Sequence, residues 1–345
     1  MPRVRCVRHG VTVAAVPWAR HGAGHTRGFD ELVAWFATRM SKSALAEYLR
    51  MGWATVGAII SRVMADADAA SAGPAGDRLD GITRIGVDEI SYKRGHKYLT
   101  VVVDHATKRV LWLAEGRSKT TLAKFFTLLG PERSARIELV SADGADWIFN
   151  AVRDACPNAD ICLDPFHVVA WATAALDEVR RQVWNAARRA GHTAAAKELK
   201  GARFALWKNP NRLTDRQQAR LATIAVTNKP LYRAYLLKEQ LRAVFAVGRQ
   251  DGGQAGAELL DRWLAWAARS RLPAFVDLAR RIRAYFRDDI VNTLTHGLSN
   301  GLIESTNTKI RLLTRVAFGF KSVDALIALA KLHLGGYHIE LPGRT

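Results

Sequence analysis

Residues 84–115 read RIGVDEISYKRGHKYLTVVVDHATKRVLWLAE. Short apolar runs alternate here with turn-forming clusters, which is the signature of successive strands. Arg84 to Ser91 predicts a first strand that ends beyond Asp88. Lys97 to Val103 is apolar on both faces and predicts a central second strand. Asp104-His105-Ala106-Thr107 is a turn, with Asp104 the turn-forming residue, and Arg109 to Glu115 predicts the third strand. Downstream, Ser118-Lys119-Thr120-Thr121 opens a helix to Leu129, and Ile137 to Ala142 is a strand ending at Asp143. Trp147 to Ala155 is a helix, and Asp160 to Leu163 is a strand ending at Asp164.

Three meandering strands followed by helix, strand, helix and strand is the element order of a ribonuclease-H-like α/β core, expected over 82–170. Upstream, 29–66 reads as three short helices. Phe29 to Arg39 carries Leu32, Val33, Phe36 and Ala37 on one face. Ser41 is placed to cap Lys42 to Leu49, and Met51-Gly52-Trp53 forms a tight turn. Thr55 then caps Val56 to Met64, with Ile59, Ile60 and Val63 inward. Helix, Gly-containing turn, helix is the helix-turn-helix pattern, whose second helix enters the major groove of DNA. An ordinary helical hairpin has the same pattern, and the charge of the chain favours DNA. Thr55 and Arg62 are the candidate DNA contacts there. Residues 67–81 are small, Pro- and Gly-containing and aperiodic, as in a linker. Residues 171–296 are helical and rich in Arg and Trp, and 297–345 are helical again.

The chain has 345 residues, 49% of them hydrophobic, so it can build a sizeable core. Its formal net charge is +19, spread along the whole length. A polyanion is the natural partner of such a surface, because each neutralised phosphate releases counterions. An anionic membrane is the rival partner, but no stretch is long and apolar enough to span a bilayer. No signal-peptide core follows Met1-Pro2-Arg3, and the three cysteines make no disulfide framework. A soluble, cytoplasmic, basic protein is expected. Cys156 and Cys162 read as buried small hydrophobes.

Cleavage of a phosphodiester puts charge on the attacking and the leaving oxygen, and two Mg2+ ions held by carboxylates can stabilise both. Strand ends suit such acids. Asp88 lies inside an apolar strand, costly unless paired or bound to metal. Asp143 follows Leu139-Val140-Ser141-Ala142, and Asp146 is the better helix N-cap by position, which frees Asp143 for metal. Asp164, in Asp164-Pro165-Phe166-His167, ranks beside Asp143 on chemistry, with a turn or cap role as its alternative. Glu304, Asn307, Thr308 and Arg311 fall on one face of a helix whose other side carries Ile303, Ile310 and Leu313. By itself that polar face is as well explained by solvent.

Several segments together resemble the ISL-three family of bacterial insertion-sequence transposases, of the Asp-Asp-Glu class. They are Gly86-Val87-Asp88-Glu89, Ser141-Ala142-Asp143, Asp164-Pro165-Phe166-His167-Val168, the run Leu231 to Glu239, Asn300 to Ile310, and Ala317-Phe318-Gly319-Phe320. The resemblance covers nearly the whole chain. It implies that Asp88, Asp143 and Glu304 are the catalytic acids and ligands of two Mg2+ or Mn2+ ions. It implies a helical insertion at 171–296, with the core resuming at 297–345, and makes Asp164 and His167 accessory residues of the site. Asn307, Lys309 and Arg311 are then candidate DNA contacts. Members of the family begin with a zinc module built from two ligand pairs. Here 1–28 holds one candidate pair, Cys6 and His9, half of a four-ligand Zn2+ site and the mark of a remnant.

The expected activity is binding of terminal inverted repeats in double-stranded DNA, strand cleavage, and transfer of the freed 3'-hydroxyl to target DNA. Arg180, Arg181, Arg188, Arg189 and Lys200 of the insertion are expected on flanking phosphates. Strand joining needs two ends held together, so a homodimer or larger assembly is expected on DNA. The alternatives are a catalytically inactive remnant that represses by occupying repeats, and a structure-specific nuclease of the same fold that cuts without joining.

Overall fold

The computed structural model describes residues 3–20, 23–71, 77–248 and 251–343. An exposed hairpin of β1 (Arg3–Cys6) and β2 (Gly10–Val13) comes first. Three helices follow, α1 (Arg27–Ala37), α2 (Lys42–Tyr48) and α3 (Trp53–Ala70). Thr26 and Ser41 cap the first two by accepting the N–H of Phe29 and Ala44. The third begins earlier than expected: Gly52 is its N-cap, and Thr55 lies inside its first turn instead of capping it. It also runs past Met64 to Ala70, into the start of the expected linker, because Ala65 to Ala70, ADADAA, is rich in the best helix former.

The meander is β3 (Arg84–Lys93), β4 (Lys97–Asp104) and β5 (Val110–Glu115), antiparallel throughout, with Asp88 opposite Val101. Strand β4 lies between the other two and is buried from Leu99 onward, as its unbroken apolar run requires. Asp104 ends it as a turn residue, accepting the N–H of Ala106 and Thr107. Ser118 caps α4 (Lys119–Leu129), and the single turn α5 (Pro131–Ser134) follows. Next come β6 (Leu139–Ala142), α6 (Asp146–Ala155) and β7 (Asp160–Leu163), with β6 and β7 parallel. The remainder is helical: α7 (Pro165–Arg189), α8 (Thr193–Gly201), α9 (Arg203–Trp207), α10 (Asp215–Thr227), α11 (Lys229–Gly248) and α12 (Gln254–Ala268). Helices α13 (Pro273–Arg281) and α14 (Arg287–His296) are joined by a π-helical segment, Ile282–Phe286. Helices α15 (Gly301–Val316) and α16 (Val323–Leu334) end the order.

The chain divides into two compact units, and these do not follow the boundaries read from the sequence. The first comprises 1–138, 150–158 and 301–345; the second comprises 139–149 and 159–300. In the first unit, Val33, Leu45, Val56 and Ile59 of the three N-terminal helices share one core with Leu99 and Val101 of β4, Ile303 and Ile310 of α15, and Leu326 of α16. The helices of 29–66 are therefore not a body set apart by the segment 67–81. Asp68 of α3, inside that segment, is bonded to Lys331 and Tyr337.

Asp30 sits in this unit with no exposed surface. Arg20 reaches its Oδ2 at 2.6 Å, and Arg62 reaches both oxygens at 3.4 Å. Arg62, a candidate DNA contact, has a side chain 34% exposed and sets its guanidinium against this buried carboxylate. A buried charge must be paired, and Arg62 is one of the groups that pairs it.

In the second unit α14 lies on β7, where Thr293 Oγ1 donates to the Leu163 carbonyl at 2.8 Å. Lys238 is almost fully buried, donating to the Leu206 carbonyl at 2.7 Å and pairing with Glu239. Arg180, expected on phosphate, is also buried and holds Asp177 at 2.8 Å, so it is a packing residue. Arg181, Arg188, Arg189 and Lys200 are exposed.

Helices α11 and α12 meet at two glycines. A Cβ on Gly256 would lie 2.8 Å from the Gly248 Cα, closer than real contacts allow. Gly256→Val should therefore push the helices apart and cost about 2 kcal/mol, measurable as a lower urea midpoint. An unchanged midpoint would show that the two backbones are not in close contact.

Candidate active site

In the first unit the acid-bearing elements are β3 and α15. Helix α15 turns Ile303, Thr306, Asn307 and Ile310 inward and leaves Glu304, Thr308, Lys309 and Arg311 exposed. Asn307 thus departs from the expected polar face. It is 2% exposed, and its Nδ2 donates to Asp88 Oδ2 at 2.8 Å. The other oxygen of Asp88 accepts the Glu89 N–H at 2.7 Å. The amide of α15 and the backbone of β3 therefore fix the plane of this carboxylate. Such burial excludes Asn307 from DNA contact and makes it a support for Asp88.

Glu304 stands one turn before Asn307 on α15 and joins no ion pair among the described residues. Glu89, next to Asp88, is held by Arg117 at 2.6 Å. Glu89 Oε2 and Asn307 Oδ1 are both buried without a hydrogen-bond partner. Each such oxygen is costly unless a ligand or water satisfies it.

In the second unit two aspartates leave the ends of the parallel strands. Ala142 pairs with Leu163, so Asp143 and Asp164 follow neighbouring strand ends. Asp164 caps α7, with Pro165 in the first helical turn. Its side chain is 5% exposed. Its Oδ1 accepts the Asn300 N–H at 3.3 Å, and its Oδ2 lies 3.2 Å from His167 Nδ1. His167 Nε2 then points toward Asp143 Oδ2 at 3.8 Å. Helix α6 begins at Asp146, so this residue is not its cap; Asp143 Oδ1 accepts the Ala145 N–H at 3.3 Å instead. Asn300 Oδ1 is another buried oxygen without a hydrogen-bond partner.

Asp88, Asn307 and Glu304 are thus assembled within the first unit, and Asp143, Asp164 and His167 within the second. Among the described residues, no group of three or more His, Cys, Asp or Glu side chains has the spacing of a metal site. Sequence reasoning missed the supporting roles of Asn300 and Asn307. Their signal was present, since both lie in the motif around Glu304, but burial decides what an Asn does.

Elsewhere, Cys6 Sγ is 3.5 Å from His9 Nδ1 on the N-terminal hairpin, with no further ligand beside them among the described residues. Cys156 and Cys162 are buried, and burial pushes both thiols up to about 12, out of reach of thiolate chemistry at neutral pH. Lys42 is nearly buried, with its ammonium 3.4 Å from the Trp53 ring centre, and burial lowers its pKa. No helix among the described residues is long and apolar enough to cross a membrane.

Comparison with known proteins defines the class. A family profile described as "Transposase" matches residues 85–330, and one described as "Helix-turn-helix domain of transposase family ISL3" matches residues 14–64. This is a transposase, a nucleic-acid-processing enzyme carrying a DNA-binding helix-turn-helix. The chain belongs to the ISL3 family of insertion-sequence transposases. It is 57% identical to the "Transposase for insertion sequence element IS1557" of Mycobacterium tuberculosis, in strains CDC 1551 / Oshkosh and ATCC 25618 / H37Rv. The match covers 99% of this chain and 79% of that protein. It is 29% identical to the "Transposase for insertion sequence element IS1001" of Bordetella parapertussis, over 81% of this chain and 66% of that one.

Proposed function

We propose that this chain binds the terminal inverted repeats of a bacterial insertion sequence, cleaves one strand at each end, and joins the freed 3'-hydroxyl to target DNA. Asp88, Asp143 and Glu304 are the catalytic acids, carried on a ribonuclease-H-like core. The observation that carries this reading is the bond from Asn307 to Asp88. A buried amide on the helix of Glu304 orients an acid on the first strand of the meander, an arrangement that a merely solvated helix face does not need.

The residues fit divalent metal. The donors are hard carboxylate oxygens, which suit Mg2+ or Mn2+, and the orphaned oxygens of Glu89 and Asn307 flank Asp88 and Glu304 in sequence. When bound, two such ions would stabilise charge on the attacking and leaving oxygens of the phosphodiester. Asp88, Asp143 and Glu304 would hold them. Asn307 fixes the rotamer of Asp88, and Ala145 N–H that of Asp143. Asp164, itself anchored by Asn300, orients the His167 ring toward Asp143, where the ring can meet the scissile phosphate. Lys309 and Arg311, exposed on α15, contact the DNA backbone. Two ends are joined in one event, so the active species is a dimer or larger on DNA, in the bacterial cytoplasm.

The test is strand transfer in vitro, with the full chain, Mg2+ or Mn2+, and DNA bearing the element's own ends. Joined product that disappears in Glu304→Gln supports the reading. End binding without cleavage of a pre-nicked substrate would overturn it in favour of a repressor. Cleavage without joining would leave a nuclease.

Asn307→Leu keeps the volume and removes the amide. It should lower the cleavage rate about 10-fold through loss of orientation, raise the Mn2+ concentration needed for half-maximal binding by calorimetry, and leave end binding unchanged. Unchanged metal affinity would remove Asn307 from its positioning role.

A further inference from the structure

The turn between α15 and α16 carries a feature that the strand-transfer reading leaves unexplained. Phe318 is fully exposed, and its φ is +51°. It occupies the left-handed position that ends a helix, with the Gly319 N–H returning to the Thr314 carbonyl at 2.8 Å. Glycine is the ordinary residue at that position, because a side chain there is strained. The glycine of this turn stands one residue later, at Gly319. Phe320, two residues on, is buried in the core, so the turn anchors one ring and presents the other to solvent. Phe318 makes no ring contact among the described residues.

Phe318 does not stand alone. Trp53, Tyr92, Lys93, Gly319 and Lys321 line a cleft with it, of about 540 Å³. All of these residues belong to the first unit. Trp53, at the start of α3, is 37% exposed, and one of its faces is covered by Lys42. Lys93 and Lys321 are both exposed, and no acid lines the cleft among the described residues; the Tyr92 hydroxyl donates to Glu115 at 2.7 Å. Aromatic rings interleaved with cations, in a lining free of carboxylates, match the chemistry of unpaired nucleotides. The rings stack on bases of any sequence, and the cations follow the phosphates.

We propose that the cleft between Trp53, Tyr92 and Phe318 is a binding site for unstacked nucleobases of single-stranded DNA. Phe318 is the stacking platform, and Lys93 and Lys321 hold the adjoining phosphates. An element end opened at the cleavage point supplies such nucleotides, and in this respect the proposal rests on the reading of the chain as a DNA-cleaving transposase. The charge of the cleft favours a polyanion over a second copy of this chain, which is itself strongly basic.

The experiment is a binding titration of the full chain in EDTA, so that no DNA is cut. Three probes are compared: blunt duplex, the same duplex with a four-nucleotide unpaired tail, and that tail carrying 2-aminopurine. The wild type should prefer the tailed duplex by about 10-fold, the scale of one stacked base. 2-Aminopurine fluorescence should be quenched on binding. Phe318→Ala should lose the preference and the quenching while holding blunt duplex as before, and Phe318→Trp should restore both. Equal affinity of wild type and Phe318→Ala for the tailed duplex overturns the site. So does a Phe318→Ala change confined to self-association in sedimentation, which would make the turn a contact between copies. Failure to bind blunt duplex would instead count against the DNA-binding reading itself, so the two outcomes are distinguishable.

Discussion

Asp88→Asn should lower the rate of strand cleavage and joining by on the order of 10³-fold, the scale seen when one preorganised stabiliser of transition-state charge is removed. The substitution keeps the side chain's shape and one acceptor, so Asn307 retains a partner on β3. What is lost is one negative charge at the carboxylate proposed to hold a divalent cation. Binding of element ends should remain within about 2-fold, because the exposed cations of α15 and the N-terminal helices are untouched. Gel-shift and strand-transfer assays on the same preparation separate the two effects. A parallel loss of both would mean that Asp88 supports the fold of the meander, and would remove it from the chemistry. Glu304→Gln should give the same split, since its exposed side chain supports no packing.

Asp30→Ala has the largest expected effect on stability. The carboxylate has no exposed surface and accepts from both Arg20 and Arg62. Removing it leaves Arg62 without its acidic partner and the nearly buried Arg20 with Asp66 alone. Breaking a buried pair from one side costs roughly 3 kcal/mol. That is a large share of the ~5–15 kcal/mol that holds a typical domain together. The loss should appear as a lower urea midpoint and as earlier thermal loss of end binding, because α1 and α3 are tied together at this point. A change below about 1 kcal/mol would show that water can replace the carboxylate. The same geometry predicts that Arg62→Met weakens the fold but leaves the salt dependence of DNA binding alone. Lys309→Met should reduce the slope of log K against log salt by about one unit, as loss of a single phosphate contact does.

Some of this was legible in one dimension. The runs at 97–103 and 160–163 became strands at those places, because an unbroken apolar run bounded by turn residues has few other uses. Ser41 and Ser118 cap the helices they precede, since capping is a bond to a neighbour three residues away. Element ends were read less well. Thr55 lost its capping role to Gly52, and α3 continued into a stretch whose small residues looked like a linker.

The polar residues that face inward were not legible. Arg62, Arg180 and Asn307 look like any solvated group in the sequence, and each proved to hold a carboxylate within the fold. The sequence by itself determined the family and the order of elements, and it supplied the acids proposed for the chemistry, since motif spacing and local periodicity are written along the chain. Only the tertiary structure decided that Asp30 needs Arg62, that Asn307 belongs to Asp88, and that Phe318 stands in solvent. The physical reason is distance. Asn307 and Asp88 are 219 positions apart in the chain, and no periodicity reaches so far. Packing of α15 on the meander alone brings the amide within hydrogen-bond reach of the carboxylate.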